Sequence, residues 1–154
     1  MKPRTIVLAV IAILALAVLA AELPEGAIQI HARDIVWQEA QPPLPKGAKR
    51  AILEGDPTGK SCPAATTCLY TMRLDLPAGA MLPPHWHPKA ERGTVISGLV
   101  QVGFGDTFDD KALHSFGPGD YYVNPPNSHH FVRFAKNTIV QITGEAPWEA
   151  HLVK

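Results

Sequence analysis

The sequence has no excess of charge of either sign. Its 154 residues include 14 lysines and arginines and 14 aspartates and glutamates, so the formal net charge is zero. Proteins that bind nucleic acid or an anionic membrane surface cluster positive charge, because the groups they contact are negative. We therefore expect no nucleic-acid partner, and a small neutral or mixed-charge ligand fits the composition better.

Long apolar runs are scarce. The longest, residues 6–20, has about fifteen residues, against the roughly 20 that a membrane-spanning helix needs. It follows Lys2 and Arg4 and ends in Val-Leu-Ala, the pattern of a secretory signal peptide cleaved near Ala20. We expect residues 1–20 to be removed, leaving no stable membrane anchor and a mature chain in the periplasm or outside the cell. An uncleaved anchor is the alternative.

Cysteine is also rare, with only Cys62 and Cys68 present. A metal site built on thiolates would need further soft ligands nearby, and the neighbouring residues supply none. In an exported chain, an isolated pair at this spacing is most economically a disulfide that closes a small loop. Two free thiols are the alternative.

Helical periodicity is missing, and short apolar segments between glycine and proline turns take its place. Leu69–Leu76 alternates apolar and polar residues, as a half-buried strand does. Residues 94–102 predict one strand with Gly98 at a bend or close approach, and residues 129–134 and 137–143 predict a hairpin. About eight to ten such strands indicate an all-β sandwich or barrel with a single domain.

The N-terminal part of the predicted mature chain is richer in proline. Residues 41–45 contain three prolines, a density that cannot join the interior of a sheet. We expect residues 21–48 to form an arm or edge strand followed by a linker. The folded domain then comprises residues 49–154.

Two histidines one residue apart, His85 and His87, are followed four residues later by Glu91. In a strand, side chains at i and i+2 point to the same face, so both imidazoles project together while Trp86 points away. Two histidines and one carboxylate make a ligand set that leaves open positions on a metal ion. A further ligand would have to come from a distant strand.

This segment resembles the first motif of the cupin superfamily. That motif reads glycine, five residues, H-x-H, three or four residues, glutamate, six residues, glycine. It is matched at every position, by Gly79, His85, His87, Glu91 and Gly98.

A second cupin motif is matched in part, by Gly119, Pro125 and His130. Asn127 stands in place of its inner glycine, and Phe134 in place of its final asparagine. Because asparagine tolerates positive φ better than most residues, the turn can be kept. The motif spacing selects His130, rather than its neighbour His129, as the fourth ligand.

The resemblance implies a cupin jelly-roll β-barrel or sandwich with one divalent transition metal ion inside, in a small single-domain exported bacterial cupin. The ligands would be His85, His87, Glu91 and His130. Fe, Mn, Zn, Ni and Cu all stay open, because imidazole and carboxylate ligands suit several divalent ions. The resemblance is also compatible with a homodimer in which the arm lies against a partner's sheet.

The leading expectation for function is a dioxygenase-like oxidoreductase that acts on a small organic substrate. A cupin that binds a metal or small ligand without turnover, and an oxygen-independent isomerase or epimerase, are the alternatives. No catalytic residue beyond the ligands is identified, so whether the protein is an enzyme stays open at this point.

Overall fold

The computed structural model describes residues 23–63 and 67–154. The predicted signal peptide lies outside the described residues. Within them, two short 3-10 helices, Ala32–Asp34 and Asp110–Ala112, accompany eleven strands. The strands are β1 (Gln38–Glu39), β2 (Lys49–Glu54), β3 (Leu69–Leu76), β4 (Met81–Trp86), β5 (Glu91–Ser97), β6 (Val100–Phe104), β7 (His114–Phe116), β8 (Tyr121–Asn124), β9 (His130–Phe134), β10 (Thr138–Glu145) and β11 (His151–Leu152).

The strands form two antiparallel sheets. The first has the order β1-β2-β3-β10-β5-β8, and the second has the order β11-β4-β9-β6-β7. Strands that follow each other in the chain often belong to different sheets, as in a jelly roll. The predicted all-β class is confirmed, and no helix in the described part of the chain is both long and apolar enough to span a bilayer.

The core lies between the inner faces of the two sheets. In β3, every second side chain from Tyr70 to Leu76 is buried, as the alternation predicts. Val140 and Ile142 of β10 pack beside them in the first sheet, and Val132 and Phe134 of β9 face them from the second. The apolar faces thus meet in one continuous core.

The prediction of a single strand over residues 94–102 is wrong. The chain changes sheets at Gly98, whose φ is +89°, so β5 lies in the first sheet and β6 in the second. A Cβ at Gly98 would lie 2.3 Å from the carbonyl oxygen of Asn137. The expected bend and the expected close approach are therefore both present, and together they interrupt the strand.

The predicted hairpin of residues 129–134 and 137–143 is also wrong. β9 pairs with β4 and β6, whereas β10 pairs with β3 and β5 in the other sheet. Between them, Ala135 N donates to Leu99 O at 3.0 Å, which anchors the crossing between the sheets. Both strands point apolar side chains into the core, β9 from the second sheet and β10 from the first.

The N-terminal segment lies along the edge of the first sheet. β1 pairs with β2, and the buried side chains of Leu44 and Ala48 join the core. Cys62 and Cys68 form the predicted disulfide, with Cα atoms 5.9 Å apart.

Candidate metal centre

Three histidines converge inside the sandwich. His85 lies near the end of β4, His87 follows that strand, and His130 begins β9. Antiparallel pairing of β4 with β9 places His85 opposite His130. All three side chains are buried, and their candidate ligand atoms lie within 4.8 Å of one another. The structure therefore brings together the three predicted histidines.

Backbone carbonyls orient each of the three rings. His85 bonds through Nδ1 to Pro83 O at 2.8 Å, His87 to Glu149 O at 2.6 Å, and His130 to Ser128 O at 2.9 Å. A carbonyl oxygen only accepts hydrogen bonds, so each Nδ1 must be the donor. The proton on Nδ1 leaves the lone pair of the neutral ring on Nε2, the nitrogen free for a metal.

Two of these nitrogens lack a partner. Nε2 of His87 and Nε2 of His130 are buried and make no hydrogen bond within the described residues. An unsatisfied buried acceptor costs about 1–3 kcal/mol. A metal ion would satisfy both lone pairs at once, so the donor set fits a divalent ion.

Burial also favours the neutral form of the imidazoles. It is the main cause that lowers the pKa of His130 to about 4, with repulsion from His85 second. Burial likewise lowers the pKa of His85, although the bond to Pro83 opposes it. Because only an uncharged ring binds a metal, both groups are prepared for binding at neutral pH.

The fourth predicted ligand, Glu91, lies beside the histidines at the start of β5. Its Oε2 is 3.5 Å from His87 Nε2, but the carboxylate is outside the group of atoms that lie within 4.8 Å of one another. Oε1 accepts a hydrogen bond from Asn124 Nδ2 at 3.1 Å, and Oε2 accepts one from Trp148 Nε1 at 2.8 Å. The carboxylate is thus adjacent to the histidines and held by two other donors.

The charge state of Glu91 follows from these neighbours. Burial alone would raise its pKa, but His87, the Trp148 N–H and the other two histidines lower it and prevail. The carboxylate is therefore ionised at neutral pH and can offset the charge of a bound cation.

A narrow apolar cavity of about 30 Å³ adjoins the site. No lysine or arginine is among its described lining residues. The cavity is lined by His85, His87 and Glu91 together with Pro43, Leu44, Leu74, Leu82, Tyr122, Val132, Phe134, Val140, Ile142, Trp148, Ala150 and Leu152. Phe134, which replaces the final asparagine of the second motif, thus adds an apolar ring to the cavity lining.

The turn before β9 keeps the shape that the second motif needs. Asn127 has a φ of +57°, which confirms that asparagine replaces the glycine there. Its backbone N donates to His87 O at 2.8 Å, so the turn is tied directly to the first motif.

His129 and Trp86, the sequence neighbours of candidate ligands, make their own contacts outside the centre. His129, just before β9, makes an exposed hydrogen bond through Nδ1 to Asp106 Oδ1 at 2.6 Å. Trp86 stacks on His151, with ring centroids 4.4 Å apart. Tyr121 is exposed, whereas Tyr122 lines the cavity, as expected for neighbours on opposite faces of a strand.

Asn124 and Trp148 are the site residues that the sequence did not reveal. Asn124 faces Glu91 in the β5–β8 register, and its position two residues after the inward Tyr122 could have indicated an inward side chain. Trp148 lies in an irregular segment 57 residues from Glu91. No periodicity could have placed it there.

Comparison with known proteins gives matches in both sequence and structure. A cupin family model matches residues 60–144. Germin-like protein subfamily 1 member 1 of Arabidopsis thaliana is 36% identical over 77 residues, which are 49% of this chain and 36% of that protein. Germin-like protein 3-1 of Oryza sativa subsp. japonica is 43% identical over 65 residues, 42% of this chain and 29% of that protein. The matched segment therefore spans only about a third of these relatives.

Among solved structures, the polyketide cyclase RemF from Streptomyces resistomycificus is similar with a TM-score of 0.63. The identity is 15%, and the match covers 82% of this chain and 84% of that chain. At this identity the likeness shows a shared fold alone.

Proposed function

We propose that this chain, which belongs to the cupin family, is a metal-dependent enzyme that oxidises a small organic substrate in the manner of a dioxygenase. The observation that carries the proposal is the cluster of three buried imidazoles, two of which have unpaired Nε2 atoms, beside an ionised carboxylate.

His85, His87 and His130 would hold the metal through Nε2, and Glu91 would complete the set through its carboxylate. A divalent transition metal ion with open positions supplies Lewis-acid or redox chemistry to a bound substrate. The carbonyls of Pro83, Glu149 and Ser128 keep the rings in the metal-binding tautomer. The apolar wall excludes water and orients the substrate.

The wall also limits the substrate class. Because its described residues include no lysine or arginine, a substrate with several negative charges would have only the metal to offset them. An uncharged substrate with one polar end toward the histidines fits better. A cavity of about 30 Å³ has space for about two water-sized groups, so a larger substrate would require lining side chains to move.

Tyr122 does not supply a base in this cavity. Burial, followed by the charge of Glu91, raises its pKa well above the usual range, so the phenol stays protonated. Apart from Tyr122 and the candidate ligands His85, His87 and Glu91, the described lining residues include no acid–base group. This favours a second candidate, a cupin that binds a metal or small ligand without turnover.

We place the mature protein in an oxidising compartment, the periplasm or outside the cell. The Cys62–Cys68 disulfide supports this, because such bonds persist where thiols are oxidised. Cleavage of residues 1–20 and a bacterial origin remain predictions.

Metal analysis and oxygen consumption test the proposal. We expect about one transition metal ion per chain, and its loss in the His85→Ala/His87→Ala variant but not in His129→Ala, whose side chain faces outward. Unchanged metal content in the double variant would refute the site.

The metal-loaded protein should consume oxygen together with an uncharged phenol or diketone, and more slowly with a dicarboxylate of similar size. Binding without oxygen uptake or product would favour the candidate without turnover. Conversion that needs no oxygen would instead favour an isomerase or epimerase.

A further inference from the structure

Residues 146–153, which we call the strap, cross from the first sheet to the second beside the metal centre. Three backbone hydrogen bonds fix the strap: Ala146 N donates to Cys68 O at 2.8 Å, Trp148 N to Pro57 O at 2.7 Å, and Val153 N to Pro84 O at 2.9 Å. Its last strand, β11, pairs with β4, which carries His85. The strap is therefore anchored along its whole length.

The turn that holds Trp148 is itself well ordered by hydrogen bonds. Asp56 accepts hydrogen bonds from the backbone N and the hydroxyl of Thr58 and from the backbone N of Ser61, at 2.7 to 3.0 Å. Pro57, which accepts from the Trp148 backbone, lies inside this turn. The backbone of Trp148 is thus fixed independently of its side chain.

The strap reaches the candidate centre at two points. The carbonyl of Glu149 accepts a hydrogen bond from His87 Nδ1 at 2.6 Å, and the Trp148 indole donates to Glu91 Oε2 at 2.8 Å. The rings of Trp148 and His87 lie 5.8 Å apart. One short segment therefore contacts two of the four candidate ligands.

Glu91 is held from both sides. Asn124 donates to Oε1 from β8, while Trp148 donates to Oε2 from the strap. The Glu91 side chain is 10% exposed, so these donors take the place of water around a buried charge. The indole bond selects the rotation of the carboxylate that keeps Oε2 within 3.5 Å of His87 Nε2.

We infer that Trp148 is a positioning residue of the metal centre, whose indole N–H orients Glu91 toward the ion that the three histidines would hold. A carboxylate oxygen has two lone pairs, so Oε2 can accept the indole N–H and still offer the other to a cation. Bonds of this kind to a ligand affect metal affinity by 10- to 100-fold. The inference rests on the proposed metal binding and adds to it a residue outside both cupin motifs.

Zinc affinity of the full protein, measured by competition with a chelator, tests this role. Trp148→Phe keeps the aromatic ring and removes the donor, and we expect about 10- to 100-fold weaker binding. Glu91→Gln should weaken zinc to a similar extent. Adding Trp148→Phe to Glu91→Gln should cause no further loss, because the indole acts through the carboxylate.

His151→Ala is the matched control. It removes the stacking on Trp86 and the exposed contact of His151 Nε2 with Glu149 Oε2, both of which also hold the strap, but leaves the Trp148–Glu91 bond in place. We expect zinc affinity within about threefold of wild type. An additive loss in the Glu91→Gln/Trp148→Phe variant, or an unchanged affinity in Trp148→Phe, would overturn the inference.

A measurement on the unmodified protein covers the case in which Trp148→Phe fails to fold. The indole N–H resonance of Trp148 should shift when zinc is added, while that of Trp37 should not. An unmoved Trp148 resonance in a zinc-bound protein would refute the role. Failure of zinc to bind wild type at all would instead refute the proposed metal centre.

Discussion

His85 and His130 lie directly opposite each other across the β4–β9 ladder, with ring centroids 4.2 Å apart. His85 is the penultimate residue of β4 and His130 is the first of β9, and each donates Nδ1–H to the carbonyl two residues before it in the chain. The same local bond thus fixes both rings, and strand pairing brings them together. Their Nε2 atoms lie in one site because the register between β4 and β9, which are distant in sequence, pairs His85 with His130.

Loss of His130 should therefore abolish stabilisation by metal without removing the fold. In wild type, metal at 100 times its dissociation constant should raise the free energy of unfolding by about 2.7 kcal/mol. In His130→Ala the increase should be close to zero, because one of three converging nitrogens is gone. Urea unfolding with and without zinc measures this, with His129→Ala as the control. An equal increase in both variants would contradict the assignment of His130.

Phe134 combines a role in the core with a role in the cavity. Its side chain is 3% exposed and lies in the wall beside the histidines. Phe134→Ala should lower the free energy of unfolding by about 3–5 kcal/mol, the usual cost of removing a buried ring. Phe104→Ala, at a ring that is 49% exposed, should cost less than about 2 kcal/mol. Chemical denaturation tests both, and equal losses would show that the Phe134 ring is not buried as described.

The sequence predicted the parts of the site that depend on local periodicity. The H-x-H spacing places His85 and His87 on one face in any strand, and the alternation in β3 identifies its buried side chains without tertiary information. Sheet membership was harder to predict. Apart from Gly98, residues 94–102 are largely residues that suit a strand, and a glycine in a strand does not by itself show a change of sheet. The close approach of Gly98 to Asn137, distant in sequence, is seen only in the structure. Trp148 was missed for the same reason, because its position depends on the irregular strap.

A comparison of Gly98 with Gly119 distinguishes two reasons why a side chain would be unfavourable there, the positive φ and the lack of space for a Cβ. Both have φ near +90°, but a Cβ at Gly98 would lie 2.3 Å from Asn137 O, whereas a Cβ at Gly119 would meet no atom within 4 Å. Gly119→Ala should cost about 1–2 kcal/mol for the backbone alone. Gly98→Ala adds overpacking, for a total of about 2–5 kcal/mol. Thermal or urea unfolding of the two variants gives the difference, and equal losses would contradict the close approach at Gly98.

The metal-free protein should lose stability in mild acid. An unfolded histidine has a pKa of about 6.5, whereas the pKa of His130 in the fold is about 4, so the unfolded state binds more protons between these values. Stability contributed by the neutral ring is fully present above about pH 6.5 and falls as the pH falls toward 4, by on the order of 3 kcal/mol. The lowered pKa of His85 acts in the same direction.

Urea unfolding with a chelator at several pH values should show this decrease in stability with falling pH, and the decrease should be smaller in His130→Gln. A wild-type stability that is constant from pH 7 to pH 4.5, or a variant with the full wild-type slope, would show that His130 is not held neutral by burial.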